Sequence, residues 1–356
     1  MQFTLKNINH FVHRYFLPLL LLVHVIAFFF PALGQGIREV HLGKFIWFDG
    51  SSLEITLPVL MLSFLLFNAG VGIKPNELKN LIQNPIALFV GLLANLTVPI
   101  LFALCLLPFT KYWHNPIEIQ NLLVGLALIG SMPIAGSSAA WSQNSNGNLT
   151  LSLGLVVFST ILSPFTTPLA LHSFGFMTTG DYSEDLHEIA QMGVGAFLSF
   201  SVVLPSLLGI LTHFLLGEKR VEEIKPCLKI INSINLLLLI YSNASIALPM
   251  AFAKPDWDFL IMVLLITISL CFIAFGTGWL IAKMLKVSNA ERTSLMFGLG
   301  MNNNGTGLVL SSLTMADHPL VMIPVIFYNL IQQIVAGLID TNMNKLEEDS
   351  AQNQNS

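Results

Sequence analysis

Charge is scarce in this chain. Of its 356 residues only 10% are Asp, Glu, Lys or Arg, while 54% are hydrophobic and the mean hydropathy is +0.73. Soluble domains carry roughly 25% charged residues, so this composition excludes an ordinary soluble enzyme of two domains and fits a protein that crosses a membrane many times. The 16 basic residues are spread thinly and form no patch for a phosphate backbone, so nucleic acid is excluded as a partner. Cysteine is nearly absent. Cys105, Cys227 and Cys271 lie far apart, with no CxxC or Cys/His spacing, which argues against a zinc site or a disulfide framework. No nucleophile–base pair or metal-binding set stands out either, so no enzyme is expected and no cofactor is implied.

What is present is a series of apolar segments, at about 15–34, 56–73, 85–108, 120–142, 149–173, 190–217, 229–252, 257–282, 292–314 and 319–341. Each is near the ~20 residues a helix needs to cross hydrocarbon, and together they predict ten transmembrane helices in an all-α integral membrane protein. Lys6 and Arg14 precede the first segment in the manner of a signal peptide. Its run of about 20 apolar residues exceeds the ~7–15 of a signal h-region and reads as the first span.

Basic residues give the orientation. With the N-terminus inside, alternate segments on the inner side hold 12 of the 16 Lys and Arg residues: Lys6, Arg14, Lys74, Lys79, Lys219, Arg220, Lys225, Lys229, Lys283, Lys286, Arg292 and Lys345. Arg38, Lys44, Lys111 and Lys254 fall outside. This bias predicts cytoplasmic termini in the cell (inner) membrane. Ten spans divide into two sets of five, and an odd number per set forces the sets into opposite orientations. The expected layout is a first repeat over 1–173, an extracytoplasmic linker over 174–189, a second repeat over 190–341, and a polar, disordered tail over 342–356. LPLLLLVHVIAFFFPALG in the first span and LPSLLGILTHFLLG in the sixth echo each other.

Two spans are interrupted. Pro133–Asn148 reads PIAGSSAAWSQNSNGN in the fourth, and Gly298–Gly307 reads GLGMNNNGTG in the ninth. Lipid cannot hydrogen-bond loose backbone, so such breaks survive at membrane depth only inside protein or against a wet cavity. Matched broken helices in the two halves of a chain mark a secondary transporter's binding site. Pro133 lacks an N–H, and Gly136 and Ser137 begin a restarted helix whose unpaired N–H groups and positive dipole end suit an anion. The alternative is a kinked helix whose Asn side chains satisfy only its own backbone. No Asp or Glu occurs in either break, which weakens a proton relay. His24 and His213 have no carboxylate neighbour in sequence and read as hydrogen bonders. Asn95 in the third span, Asn232 and Asn243 in the seventh, and Asn329, Gln332 and Gln333 in the tenth line a cavity or pack helices together.

These motifs resemble the bile acid:sodium symporter family. Pro133, Ser138, Gly147, Asn148, Leu151 and Ser152 match its first break, Gly300, Met301, Asn303 and Gly305 its second. Weaker similarity runs from about residue 15 to 341, including VGIKP after the second span and FYNL in the tenth. The resemblance implies a panel of the first, second, sixth and seventh helices, a core of the other six, and helices 4 and 9 crossing at their breaks. It also implies inward transport of a small organic anion with Na⁺ by alternating access. Gly136, Ser137, Asn303 and Asn329 fall at substrate positions. Asn95, Asn302 and the carbonyls of Leu299 and Met301 fall at one sodium site, and Ser138 and Ser152 are what remains of a second. That second site lacks its usual carboxylate (Gly298), its Asn (Ala139) and a hydroxyl (Val156), a loss that should gravely weaken a hard-cation site. Two alternatives remain open: a Na⁺-independent carrier of the same fold (uniport, exchange or H⁺-linked), or an anion-binding receptor.

Overall fold

The computed structural model describes residues 15–46, 52–73, 85–253 and 255–354. Lys6, Arg14, Lys74, Lys79, Lys254 and the Lys-Pro of VGIKP lie outside the described residues, as do the side chains beyond Thr341.

The described chain is almost entirely helical, and its breaks fall where proline, glycine or polar caps dictate. Helix α1 (Phe16–Phe29) meets α2 (Pro31–Arg38) at a bend of 92°. The first apolar segment is therefore not one straight span, because Pro31 cannot continue the hydrogen-bond ladder. A hairpin of β1 (His41–Ile46) and β2 (Ser52–Thr56) follows, with Lys44 opposite Glu54 and their charged ends 2.8 Å apart. This hairpin departs from the all-α expectation, and it lies between the first two apolar segments, meeting the second at Thr56.

Then come α3 (Leu57–Val71), α4 (Pro85–Thr110) and α5 (Pro116–Gly130). Asn115 caps α5 by accepting from the Ile117 N–H, with Pro116 at the first helical position, where its missing N–H costs nothing. The first break separates α5 from α6 (Gly136–Asn144), and α7 (Leu149–Gly175) follows, capped by Asn148.

The segment expected as the linker is largely helix: α7 extends to Gly175 and α8 covers Asp181–Met192. Asp181 and Glu184 in its first turn complement the helix dipole. A short α9 (Val194–Leu198) runs through a wide turn into α10 (Leu204–Ala253), which is broken at Gly217 (φ 76°, ψ 159°). This break falls at the end of the expected sixth segment (190–217) and ahead of the expected seventh (229–252). α11 (Trp257–Leu285) ends on left-handed Lys286. α12 (Asn289–Gly300) opens with a Ser288/Glu291 capping box, and the second break separates it from α13 (Asn304–Thr314). α14 (Met322–Gln354) runs on into the tail expected to be disordered. Propagating an existing helix adds one hydrogen bond per residue fixed, so a polar sequence can extend it.

Among the described residues, five helices are long and apolar enough to cross a membrane, or six if the bent α1–α2 pair is one span. α3 and α5 are apolar but only 15 residues long. α1, α2 and α3 pack on α10, whereas α11 packs on α4, α12 and α14.

Candidate functional site

The two breaks meet. Ile134 and Asn302 pair as an antiparallel bridge: the Ala135 N–H donates to the Met301 carbonyl and the Asn303 N–H to the Pro133 carbonyl, both at 2.9 Å. A buried break must account for every backbone polar group, and this one largely does. The Ile134 N–H donates to Ser159 Oγ (3.1 Å), and Thr167 Oγ1 donates to the Ser131 carbonyl (2.6 Å). Asn302 Nδ2 donates to the Ile129 carbonyl at the end of α5 (3.0 Å). Gln332, on α14, grips Asn302 from both sides, accepting from its N–H at 3.1 Å and donating to its carbonyl at 3.3 Å. Tyr328 donates to the Gly300 carbonyl (3.2 Å). Gln332 and Tyr328 were legible in the sequence only as a polar stripe at i, i+4 in an apolar helix; the function of holding the second break needed the fold.

The first turns of α6 and α13 open on one cavity of about 410 Å³. Gly136, Ser137, Asn303 and Asn329, the expected substrate residues, all line it. Gly136 and Ser137 are exposed to it. Asn303 caps α13 through Thr306 N–H (3.3 Å), and Asn329 accepts from Gln332 Nε2 (3.3 Å). Asn304, also on the wall, is 1% exposed and neither side-chain polar atom has a partner.

A second, small void of about 10 Å³ lies behind the bridge, lined by Asn95, Leu299, Asn302 and Tyr328 among others. It is about the size of one water molecule. Asn95 Oδ1 and Asn302 Oδ1 are both buried beside it without hydrogen-bond partners. An orphaned buried acceptor costs about 1–3 kcal/mol, so two at one void suit a small cation or a water. The Met301 carbonyl does not line this void and already accepts from Ala135.

Ser138 and Ser152 are placed differently. The Ser138 hydroxyl is buried without a partner, whereas Ser152 Oγ donates to Ser142 Oγ (2.7 Å), which also contacts Ser294 Oγ (3.0 Å). Ser152 is thus committed to a hydroxyl chain that ties α6, α7 and α12 together. Gly298 abuts Leu155: a Cβ at Gly298 would lie 2.8 Å from Leu155 Cδ1. His213 bonds the Val71 carbonyl (2.7 Å) on another helix, as a helix-packing histidine does, and His24 bonds the Leu20 carbonyl of its own helix (2.7 Å).

Apolar helices, interrupted at two points that meet over a cavity, define a membrane transporter rather than an enzyme. Over residues 14–345 the chain matches the SBF-like CPA transporter family, and it belongs to that family. It is 30% identical over 228 residues to the uncharacterized protein YbaS of Bacillus subtilis (strain 168), covering 63% of this chain and 70% of that one. It is 23% identical over 345 residues to the uncharacterized sodium-dependent transporter YocS of the same organism, covering 96% and 94%. Sodium/bile acid cotransporter 7 of Xenopus tropicalis is 23% identical over 302 residues, covering 80% and 82%. The resemblance read from the two breaks therefore holds across nearly the whole chain.

Proposed function

We propose that the chain is a multi-pass carrier that moves a small organic anion across the cell membrane by alternating access, with Na⁺ as its coupling ion. The observation that carries this reading is the bridge between Ile134 and Asn302, with the first turns of α6 and α13 opening on one cavity. Two helix N-termini directed at one space favour negative charge there. Gly136 and Ser137 receive the acidic group, and Asn303 and Asn329 hydrogen-bond the remainder. Sodium occupies the void between Asn95 and Asn302, whose unpartnered oxygens support it, with the Leu299 carbonyl nearby and Met301 a lesser ligand. The second sodium site, of which Ser138 and Ser152 remain, is lost.

Ten spans in two inverted five-helix repeats, with both termini cytoplasmic, is the arrangement we adopt for this carrier. Packing of α1–α3 on α10, apart from α11 on α4, α12 and α14, supports a panel moving against a core. The relatives named for sodium dependence support the coupling. A second reading, Na⁺-independent transport, is favoured by the lack of any charged side chain at the void among the described residues.

Uptake into proteoliposomes decides between them. A hydroxy acid, a 2-oxo acid and a conjugated steroid acid are each offered with an inward Na⁺, K⁺ or H⁺ gradient. Na⁺-driven uptake that is lost in Asn95→Ala/Asn302→Ala is the expected result. Uptake indifferent to Na⁺ selects the second reading, and saturable binding with no uptake selects a receptor.

A further inference from the structure

We propose that Arg38 is the gate residue at the closed end of the large cavity: it latches α2 and α10 to α13, and opening on that side releases it. This rests on the reading of that cavity as the substrate's, in a carrier whose α1–α3 and α10 move against the other helices.

Three helices place Arg38 just beyond the end of the cavity. On α10 the lining residues run from Val221 to Ile240. Lys229 among them is exposed and Ile240 is buried. Asn243, whose Oδ1 accepts from Arg38 Nη1, stands about one turn further along. On α13 the lining residues are Asn304, Gly305 and Leu308. The Ser312 carbonyl, which accepts from Arg38 Nη2, again stands about one turn further along. On α3 the lining begins only at Leu65. The first residue of that helix, Leu57, donates its N–H to the Val40 carbonyl, two residues past Arg38, at 3.0 Å. The cavity thus meets solvent toward Lys229 and stops where Arg38 bridges α10 and α13.

The groups on either side of Arg38 are held independently of it. α2 is fixed to α10: Gln35 Nε2 donates to the Ser245 carbonyl (3.2 Å), Tyr241 donates to the Phe30 carbonyl, and Gly34 lies so close to Ser245 that no side chain fits between them. α13 packs on α5 and α14. Asn68 to Asn232 is a bond within the first group and Gln332 to Asn302 one within the second, whereas the Arg38–Ser312 bond crosses between them. Both acceptors of Arg38 are uncharged. Opening exchanges them for water, whereas separating a buried Arg–carboxylate pair would cost far more. The fork keeps one arm on Asn243 of its own group and holds α13 with the other, an arrangement suited to repeated release.

The test is thiol labelling of the full-length protein in its membrane. The reporter is Ser137→Cys, in the exposed first turn of α6 on the cavity wall, with Cys105→Ala and Cys271→Ala as background. Native Cys227, exposed between Lys225 and Lys229, identifies the Lys229 face. An impermeant maleimide is applied to intact cells and to inverted membrane vesicles, and labelled peptides are separated by mass. With Arg38 present, the reporter should label from the face that labels Cys227. In Arg38→Met, labelling from the opposite face should rise about tenfold, the scale of one lost hydrogen bond to a charged group. Arg38→Lys keeps the charge without the fork and should lie between. Ser312→Ala keeps the accepting carbonyl and should match the wild type. Opposite-face labelling that is unchanged in Arg38→Met overturns the proposal. So does labelling that rises equally from both faces, the mark of a loosened fold. Labelling needs neither substrate nor Na⁺, so such a failure is distinct from failure of the carrier reading, which is judged by uptake.

Discussion

Leu155 fills the space that a side chain on Gly298 would need. It is fully buried, and its other methyl, Cδ2, stands 2.8 Å from where a Cβ on Gly91 would lie. With a glycine on either side, the leucine cannot turn away from one without meeting the other. The second break therefore lacks a carboxylate because the site is packed with hydrocarbon as well as because the residue is glycine. Gly298→Ala should destabilise the protein by about 1–3 kcal/mol through overpacking, measured by thermal unfolding in detergent. Leu155→Ala should cost about 2–5 kcal/mol through the cavity it leaves. The double variant should be more stable than the sum of the two predicts, by about 1 kcal/mol. Strict additivity would show that the two residues do not compete for this space.

Gln332 holds the second break by its backbone, not by a side chain. In Gln332→Leu the N–H of Asn302 loses its partner, an orphan that costs about 1–3 kcal/mol, and its carbonyl is left with the Asn304 N–H alone, at 2.9 Å. A clear fall in thermal midpoint is expected. Gln332→Glu, which keeps the acceptor and loses the donor, should lie between that variant and the wild type. If Gln332→Leu unfolds like the wild type, the Asn302 backbone is satisfied by something else.

Much of this arrangement was legible in the sequence, and the reason is physical. Breaks in apolar helices must be polar, so PIAGSSAAWSQNSNGN and GLGMNNNGTG stand out against their surroundings, and Gly136, Ser137, Asn303 and Asn329 do share one cavity. The 92° turn at Phe30 was not legible. Hydropathy averages over a window and cannot see a corner inside an apolar run. Nor could sequence tell which of many Asn, Gln and Ser residues satisfy backbone and which stay open. Asn302 does both: its amide nitrogen is bound to Ile129 and its oxygen is free.

Outside the apolar segments, Asp185 of α8 approaches His318 at 3.9 Å. Burial holds the Asp185 carboxyl above its ordinary range, with His318 pulling partly the other way. An acid raised in the folded state binds its proton more tightly there than in the unfolded chain. Its contribution to stability is therefore present below the unfolded value and lost as pH rises through the folded one. Asp185→Asn, made in a His318→Gln background to remove the partner, should gain thermal midpoint relative to its parent between about pH 3.5 and pH 7. A difference that stays constant with pH would show that Asp185 is not desolvated.

Arg38 joins three elements through uncharged acceptors. At the end of α2, its Nη1 donates to Asn243 Oδ1 of α10 and its Nη2 to the Ser312 carbonyl in the last turn of α13, both at 3.0 Å. The negative end of the α13 dipole lies there, so the guanidinium is compensated without a carboxylate. Asn243 is itself fully buried and its Nδ2 has no partner, which leaves Arg38 as the group that satisfies its oxygen. Hydrogen bonds to a charged group contribute about 1.5–3 kcal/mol, and Arg38→Met removes two. Arg38→Lys cannot reproduce the planar fork and should recover only part of the loss. Ser312→Ala, which keeps the accepting carbonyl, should unfold close to the wild type. If Arg38→Met and Ser312→Ala behaved alike in thermal unfolding, the link from α2 to α13 would contribute nothing to the fold.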